Sequence, residues 1–164
     1  MPSFEVLAQQ VGHILNKHRL KLVTAESCTG GGLSYWITSM PGSSIWFERG
    51  FVTYSNLAKI ENLGVSQHTI NTYGAVDEKT VREMAEGALK HSYAEVSIAI
   101  TGIAGPAGST PNKPVGTVWI GYAKQSAETQ TQLLLLQGDR QSIREQTIEQ
   151  ALTGLLVFLH AMGL

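Results

Sequence analysis

The chain has 164 residues, 43% of them hydrophobic and 15% charged, with a formal net charge of −1. That length gives one substantial core and excludes two ordinary domains, the composition excludes disorder, and lysines and arginines scattered along the chain exclude a duplex nucleic-acid footprint. Cys28 is the single cysteine, which excludes an internal disulfide and a multi-cysteine metal site and fits a reducing compartment.

In chain order, the apolar residues Phe4, Leu7, Ala8, Val11, Ile14 and Leu15 recur at helical spacing. They predict an amphipathic helix over Ser3 to His18, with Ser3 as its N-cap and Pro2 ahead of it. Leu20 to Thr24 reads as a short strand. Leu33 to Thr38 continues a helix that stops before Pro41 and Gly42. Phe47 to Tyr54 is aromatic and β-branched, hence strand. Asn56 to Leu63 reads as a short helix ended by Gly64, and Asp77 to His91 as a longer one, with Asp77 as cap and Val81, Met84, Ala85 and Ala88 on one face. Val96 to Thr101 alternates as a strand does.

Gly102 to Gly116 is rich in glycine and proline and is predicted to be irregular, and a loop of that length in a compact domain commonly carries function. Thr117 to Ala123 and Thr129 to Leu136 form a hairpin through Lys124 to Glu128, which turns one strand antiparallel to its neighbours. Asp139 to Met162 closes the chain as a helix with Ile143, Ile148, Leu152, Leu155, Leu156 and Leu159 on its core face. Its apolar end is too short to cross a bilayer and is interrupted by Gly154 and His160. The alternation predicts an α/β fold, one domain over residues 1–164 with helices over both faces of a mixed sheet.

The most informative stretch is TAESCTGGG, Thr24 to Gly32. It places a carboxylate, hydroxyls, a thiol and a glycine run where a strand meets a helix. Glycines admit a ligand close to the backbone, and free N–H groups of a helix start face an arriving anion, phosphate and oxyanion alike. The GxxxxGK[ST] and GxGxxG spacings are both absent. So is any HxxxH, HxH or DxD pattern, and Glu26 reads as structural or as bonded to a backbone N–H.

Further blocks accompany it: PGSS at Pro41 to Ser44, YSN at Tyr54 to Asn56 with Lys59 beyond, GAV at Gly74 to Val76, TGIAGP at Thr101 to Pro106, KPVGTV at Lys113 to Val118 and GDR at Gly138 to Arg140. In this order and spacing the chain resembles the CinA C-terminal domain family, in its stand-alone PncC-type nicotinamide-nucleotide amidase form. The resemblance implies a three-layer α/β/α domain with a mixed, mostly parallel five-stranded sheet. It also implies hydrolysis of nicotinamide mononucleotide to nicotinate mononucleotide and ammonia by a serine and lysine pair, with no metal or other cofactor. A cytoplasmic homodimer without a nucleic-acid or membrane partner is implied as well, and the sparse surface charge favours self-association. The N-terminal domain of two-domain relatives, with its activity, is expected to be missing.

Hydrolysis of a carboxamide needs an activated nucleophile, a proton carrier and oxyanion donors. By the resemblance Ser44 is the expected nucleophile, standing clear of regular backbone after Pro41 and Gly42; the plain alternative for Ser43 and Ser44 is a turn or cap. Lys59 is the expected base, desolvated by Leu57, Ala58, Ile60 and Leu63 so that its amine is neutral. The resemblance implies that Tyr54 stands beside the pair, to orient the lysine or relay its proton through the phenol, and that Thr101, at the end of an expected strand, is an active-site threonine at the carboxyl edge of the sheet.

Ser27 is expected to contact substrate rather than attack it. The backbone of Cys28, Thr29, Gly30 and Gly31 is expected to hold the carboxamide oxygen or the phosphate, and Gly102 and Gly105 to open further amides to the substrate. Arg140 and Arg144, four apart on one helical face, are expected to supply a phosphate ligand, with Arg144 preferred. Two other readings stand beside this one. Cys28 at a helix start could be a thiolate nucleophile, in which case Cys28→Ala would be as inactive as Ser44→Ala. The domain could also be a non-catalytic nucleotide-binding or protein-interaction module; the chain departs little from the family pattern, chiefly at Ala107 and Ser109, where relatives tend to have glycine, changes that leave the proposed chemical groups in place but could narrow the loop's motion or alter substrate choice.

Overall fold

Ser3 accepts a hydrogen bond from the Val6 N–H at 3.2 Å and starts α1, Phe4–Lys17, whose Leu7, Ala8, Val11 and Leu15 are buried. The structure, a computed structural model, describes residues 3–164, so Pro2 lies outside the described residues. β1 spans Leu22–Glu26, ending two residues later than its sequence suggests. Its last residue pairs with Val52 of the neighbouring strand, and that pairing carries Glu26 into the sheet. After it come α2, Gly32–Thr38, a 3₁₀ turn at Ser43–Ile45, and β2, Phe47–Val52.

The helices α3, Asn56–Leu63, α4, Gln67–Tyr73, and α5, Glu78–Lys90, then cover one face. Helix α4 is absent from the sequence reading because Gln67, His68, Thr69, Asn71 and Thr72 show no apolar period. Tertiary contacts hold it: Glu83 of α5 accepts the Ser66 N–H at 2.8 Å and the Thr69 hydroxyl. β3, Val96–Gly102, β4, Thr117–Lys124, β5, Gln130–Leu135, and α6, Arg140–Ala161, complete the fold. Asp77 and Asp139 cap α5 and α6, accepting N–H groups at 2.8 Å. The segment between β3 and β4 is irregular apart from a bridge between Thr110 and Lys113.

The five strands are ordered β2-β1-β3-β4-β5. β1 pairs parallel with β2 and β3, whereas β4 runs antiparallel to both β3 and β5, so one strand opposes the other four. Alternate strand residues feed two apolar clusters. Leu22, Ile98, Ile100, Val118 and Ile120 pack with α1, α2 and α6. Val23, Ala25, Ala99 and Ala123 pack with the α3 to α5 side. The result is the three-layer α/β/α arrangement with a mixed five-stranded sheet that the sequence implies.

This topology fixes where a site can form. From β1 the chain crosses to β2 on one side, and from β2 it crosses back to β3 on the other. The carboxyl end of β1 is therefore the point where the strand order reverses, and a crevice opens there. Glu26, Val52 and Gly102 end their strands at this edge.

Candidate active site

A cavity of about 220 Å³ occupies the crevice, with Ser27, Tyr54, Lys59, Thr101, Gly105 and Arg140 among its walls and no acidic side chain among them. A larger cleft of about 770 Å³ between the end of α3 and α5 has most of its polar side chains engaged. There Glu83 holds Ser66 and Thr69, Glu86 accepts the Thr129 hydroxyl, and His91 bonds the Gly87 carbonyl.

Ser27 is the first residue after β1. Its N–H donates to the Ile100 carbonyl at 3.1 Å, and its carbonyl accepts the Gly30 N–H at 3.0 Å. The backbone is thus pinned to β3 on one side and closed into a turn on the other. Gly30 and Gly31 have φ of 59° and 97°, and this left-handed backbone is the reason glycine is needed to swing the chain into α2.

Lys59 sits on the first turns of α3, started by Ser55, whose hydroxyl accepts the Ala58 N–H at 3.0 Å. Only 1% of Lys59 is exposed. Its Nζ donates to the carbonyls of Thr53 at 2.8 Å and Tyr54 at 3.3 Å and lies 3.0 Å from Ser27 Oγ. Among the described residues no carboxylate pairs with it. Burial pushes the ammonium down to about 8. The two carbonyls can only accept, so each keeps one N–H, and the proton lost on neutralisation is the one facing Ser27. The amine lone pair then points at the serine hydroxyl. Leu57, expected to desolvate the lysine, is 61% exposed. The side chain is buried instead because it turns inward across the end of β2.

Ser44 is not brought to Lys59. It lies exposed in the 3₁₀ turn that precedes β2, whereas Thr53 and Tyr54 follow that strand. The length of β2, about 17 Å for five strand steps, separates the two ends. The sequence pattern of a serine clear of regular backbone is satisfied here by a turn, and the serine that meets the lysine is Ser27.

Tyr54 meets the lysine with its main-chain carbonyl, not its phenol. The phenol oxygen accepts from Arg140 at 3.0 Å, and the other guanidinium arm donates to the Gly105 carbonyl at 2.8 Å. Arg140 thus spans the cavity mouth from the segment between β2 and α3 to the loop after β3. Arg144, the arginine preferred for phosphate, does not line the cavity. It donates to the carbonyls of Cys28 at 3.1 Å and Thr29 at 3.2 Å and braces the Ser27 turn from outside. Thr101 is 1% exposed, and its hydroxyl donates to the Ala75 carbonyl at 2.7 Å, tying β3 to the segment before α5.

The start of α2 offers no anion site. Its Leu33 and Ser34 N–H groups donate to Glu26 at 2.9 and 3.0 Å, and the Gly32 N–H to the Thr29 carbonyl at 2.9 Å. Glu26 is itself the anion that this helix start holds. Thr29 points its hydroxyl at the same carboxylate, and Gly30 and Gly31 lead away into α2, so of the expected backbone cradle Cys28 reaches the cavity and the others do not. Unpaired amides exist on the opposite wall: Ala104 and Gly105 are buried, and their N–H groups have no protein acceptor among the described residues. Cys28 is 6% exposed, and burial pushes its thiol up to about 11, so it is held as the protonated thiol rather than the thiolate. Among the described residues no three His, Cys, Asp or Glu side chains cluster closely enough to hold a metal ion. No helix is long and apolar enough to cross a membrane.

A family model of the CinA C-terminal domain matches residues 4–159. The chain belongs to the CinA C-terminal domain family. This CinA domain is 49% identical over 146 residues to the nicotinamide-nucleotide amidohydrolase PncC of Escherichia coli K12, a match covering 89% of the chain and 88% of that protein. It is 51% identical over 155 residues to a CinA-like protein of Akkermansia muciniphila, covering 94% of the chain but only 37% of that longer protein. Among solved structures, the competence/damage inducible protein CihA of Agrobacterium tumefaciens superposes with a TM-score of 0.93 at 39% identity, over 98% of both chains. The CinA superfamily protein of Escherichia coli superposes with a TM-score of 0.91 at 37% identity, over 94% of this chain and 89% of that one.

Proposed function

We propose that this CinA domain hydrolyses the carboxamide of nicotinamide mononucleotide to nicotinate mononucleotide and ammonia, with Ser27 as nucleophile and Lys59 as general base. One observation carries the reading: a buried lysine without a counter-ion, both of its other N–H groups held by carbonyls, 3.0 Å from a serine hydroxyl in a cavity. The names of relatives that match nearly end to end supply the substrate class.

Ser27 Oγ attacks the carboxamide carbon as its proton passes to the Lys59 amine. The tetrahedral oxyanion is stabilised by the free amides of Ala104 and Gly105. Collapse breaks the C–N bond, and Lys59 returns the proton to the departing nitrogen, giving ammonia and an ester on Ser27. Water, deprotonated by the same amine, then cleaves the ester, and the serine regains its proton. Arg140 at the mouth, with no acidic group in the walls, suits the substrate phosphate. A cytoplasmic homodimer completes the reading, and light scattering of the purified protein measures the assembly.

The deciding experiment measures ammonia released from nicotinamide mononucleotide by the parent, Ser27→Ala and Ser44→Ala proteins. Parent and Ser44→Ala release it, whereas Ser27→Ala does not. A Ser27→Ala protein as fast as the parent overturns the assignment, and a parent that binds the nucleotide without releasing ammonia favours the non-catalytic module.

A further inference from the structure

We propose that Glu26 is a positioning residue that fixes the Ser27 hydroxyl against Lys59. The inference rests on Ser27 as nucleophile and adds a residue that never touches substrate. Glu26 is fully buried and makes no ion pair among the described residues. An unpaired buried carboxylate is costly unless its lone pairs are all met. Here each oxygen takes two donors. Oε1 accepts the Thr29 hydroxyl at 2.6 Å and the Leu33 N–H at 2.9 Å. Oε2 accepts the Ser34 N–H at 3.0 Å and the Ser34 hydroxyl at 2.7 Å.

These four donors come from the turn that starts at Ser27 and from the helix that follows it. Thr29 belongs to the turn and Leu33 and Ser34 to the helix behind it, so the carboxylate fastens one to the other. The main chain of the same residue reaches the lysine side: the Glu26 carbonyl accepts the Thr53 N–H at 2.8 Å, and the Thr53 carbonyl in turn accepts from Lys59 Nζ at 2.8 Å. One residue therefore sets both partners of the 3.0 Å contact, its side chain through the turn and its backbone through the end of β2. A helix cap alone needs one exposed acceptor; this carboxylate is buried, doubly engaged at each oxygen and next to the nucleophile.

Glutamine cannot replace it. Each oxygen holds one main-chain N–H, so whichever way the amide is turned its NH₂ faces a donor that cannot reverse. Misplacing a reacting group by about 1 Å can slow a reaction about 100-fold. Glu26→Gln is expected to lower kcat at least about tenfold with KM within about twofold of the parent, and to leave the rising limb of the pH profile in place. Thr29→Val, which removes one donor from Oε1 at nearly constant volume, lowers kcat by a smaller factor, and Thr29→Ser restores it. If Glu26→Gln does not fold, the Thr29 pair decides. Parent kcat in Glu26→Gln or in Thr29→Val, a loss confined to KM, or failure of Thr29→Ser to rescue overturns the proposal. Ser27→Ala runs alongside: an active Ser27→Ala protein overturns the nucleophile assignment, whereas an inactive one beside a fully active Glu26→Gln protein overturns the positioning role alone.

Discussion

Ser27 Oγ and Lys59 Nζ are 3.0 Å apart although 32 residues separate them in the chain. The contact exists because β1 and β2 are adjacent parallel strands ending at one edge, and because Lys59 is on the second turn of the helix that follows β2. With Lys59 as the proposed base, its removal should remove the reaction. Lys59→Met is expected to reduce amide hydrolysis by about 10²- to 10⁴-fold, the range supplied by positioned acid–base catalysis. Initial rates of ammonia release measure it, and a variant within tenfold of the parent would remove Lys59 from the mechanism.

The depressed lysine also dictates pH dependence. Only the neutral amine accepts the serine proton, so kcat/KM rises with pH through about 8 and then levels. For stability, the folded chain loses this proton near 8, while the unfolded chain holds it to its ordinary value of 10.5. Between those values the unfolded state binds more protons, so this group makes stability increase with pH. Below about 8 the burial penalty is fully present, about 3 kcal/mol by the cost of such a displacement. Lys59→Met lacks the ionisable group, so its melting temperature relative to the parent should fall steadily from pH 8 to pH 10. A difference that does not change over that interval contradicts a desolvated Lys59.

The two arginines should separate by kinetic signature. Arg140 crosses the cavity mouth, so Arg140→Gln is expected to raise KM for the phosphorylated substrate more than it lowers kcat. Arg144 holds the carbonyls of Cys28 and Thr29, so Arg144→Gln is expected to lower kcat and leave KM within about twofold, as a displaced nucleophile would. Steady-state rates with nicotinamide mononucleotide and its dephosphorylated nucleoside test this. Equal loss of phosphate discrimination in both variants would return Arg144 to the substrate.

Much of this arrangement was legible in the residues. Strand and helix periods located every strand, the two-sided core and the irregular loop after β3, and the motif blocks indicated the edge where the site forms. Other features were not legible, helix α4 among them. Which serine meets Lys59 depends on strand order: Ser44 and Ser27 both sit in turns with glycines nearby, and only the parallel pairing of β1 with β2 shows that one is at the wrong end of the sheet. Whether a helix start is free to hold an anion depends on what already occupies it. Glu26 precedes α2 by six residues, farther than a capping box reaches, and its bonds to Leu33 and Ser34 follow from the tight turn between. Likewise, four-residue spacing puts the Arg140 and Arg144 side chains on one face without saying which carbonyls lie beneath it.

The thiol beside Ser27 should be inert. Cys28 is 6% exposed, with its ionisation pushed up to about 11, first by burial and then by the Glu26 charge among the opposing influences. Iodoacetamide attacks thiolates, so at pH 8 only about 0.1% of Cys28 would be in the reactive form, and access would restrict it further. Intact mass after an hour with the reagent is expected to show the unmodified chain with full activity. Rapid single alkylation coupled to loss of activity would restore the cysteine mechanism.

Gly87 lies in the middle of α5, and a Cβ there would collide with the Leu63 carbonyl oxygen at the end of α3. Glycine in a helix interior is unfavourable by about 1 kcal/mol relative to alanine, so its presence here reflects the close approach of the two helices rather than helix formation. Gly87→Ala must push α3 away from α5, and α3 carries Lys59. The expected result is a destabilisation of about 1–3 kcal/mol, the usual cost of overpacking, accompanied by a fall in kcat, because Nζ is withdrawn from Ser27 while Arg140 and the loop after β3 keep their places. Denaturant melts and steady-state rates on the same preparation check both parts. A stable Gly87→Ala protein with parent kcat would show that the α3–α5 approach does not set the position of the lysine.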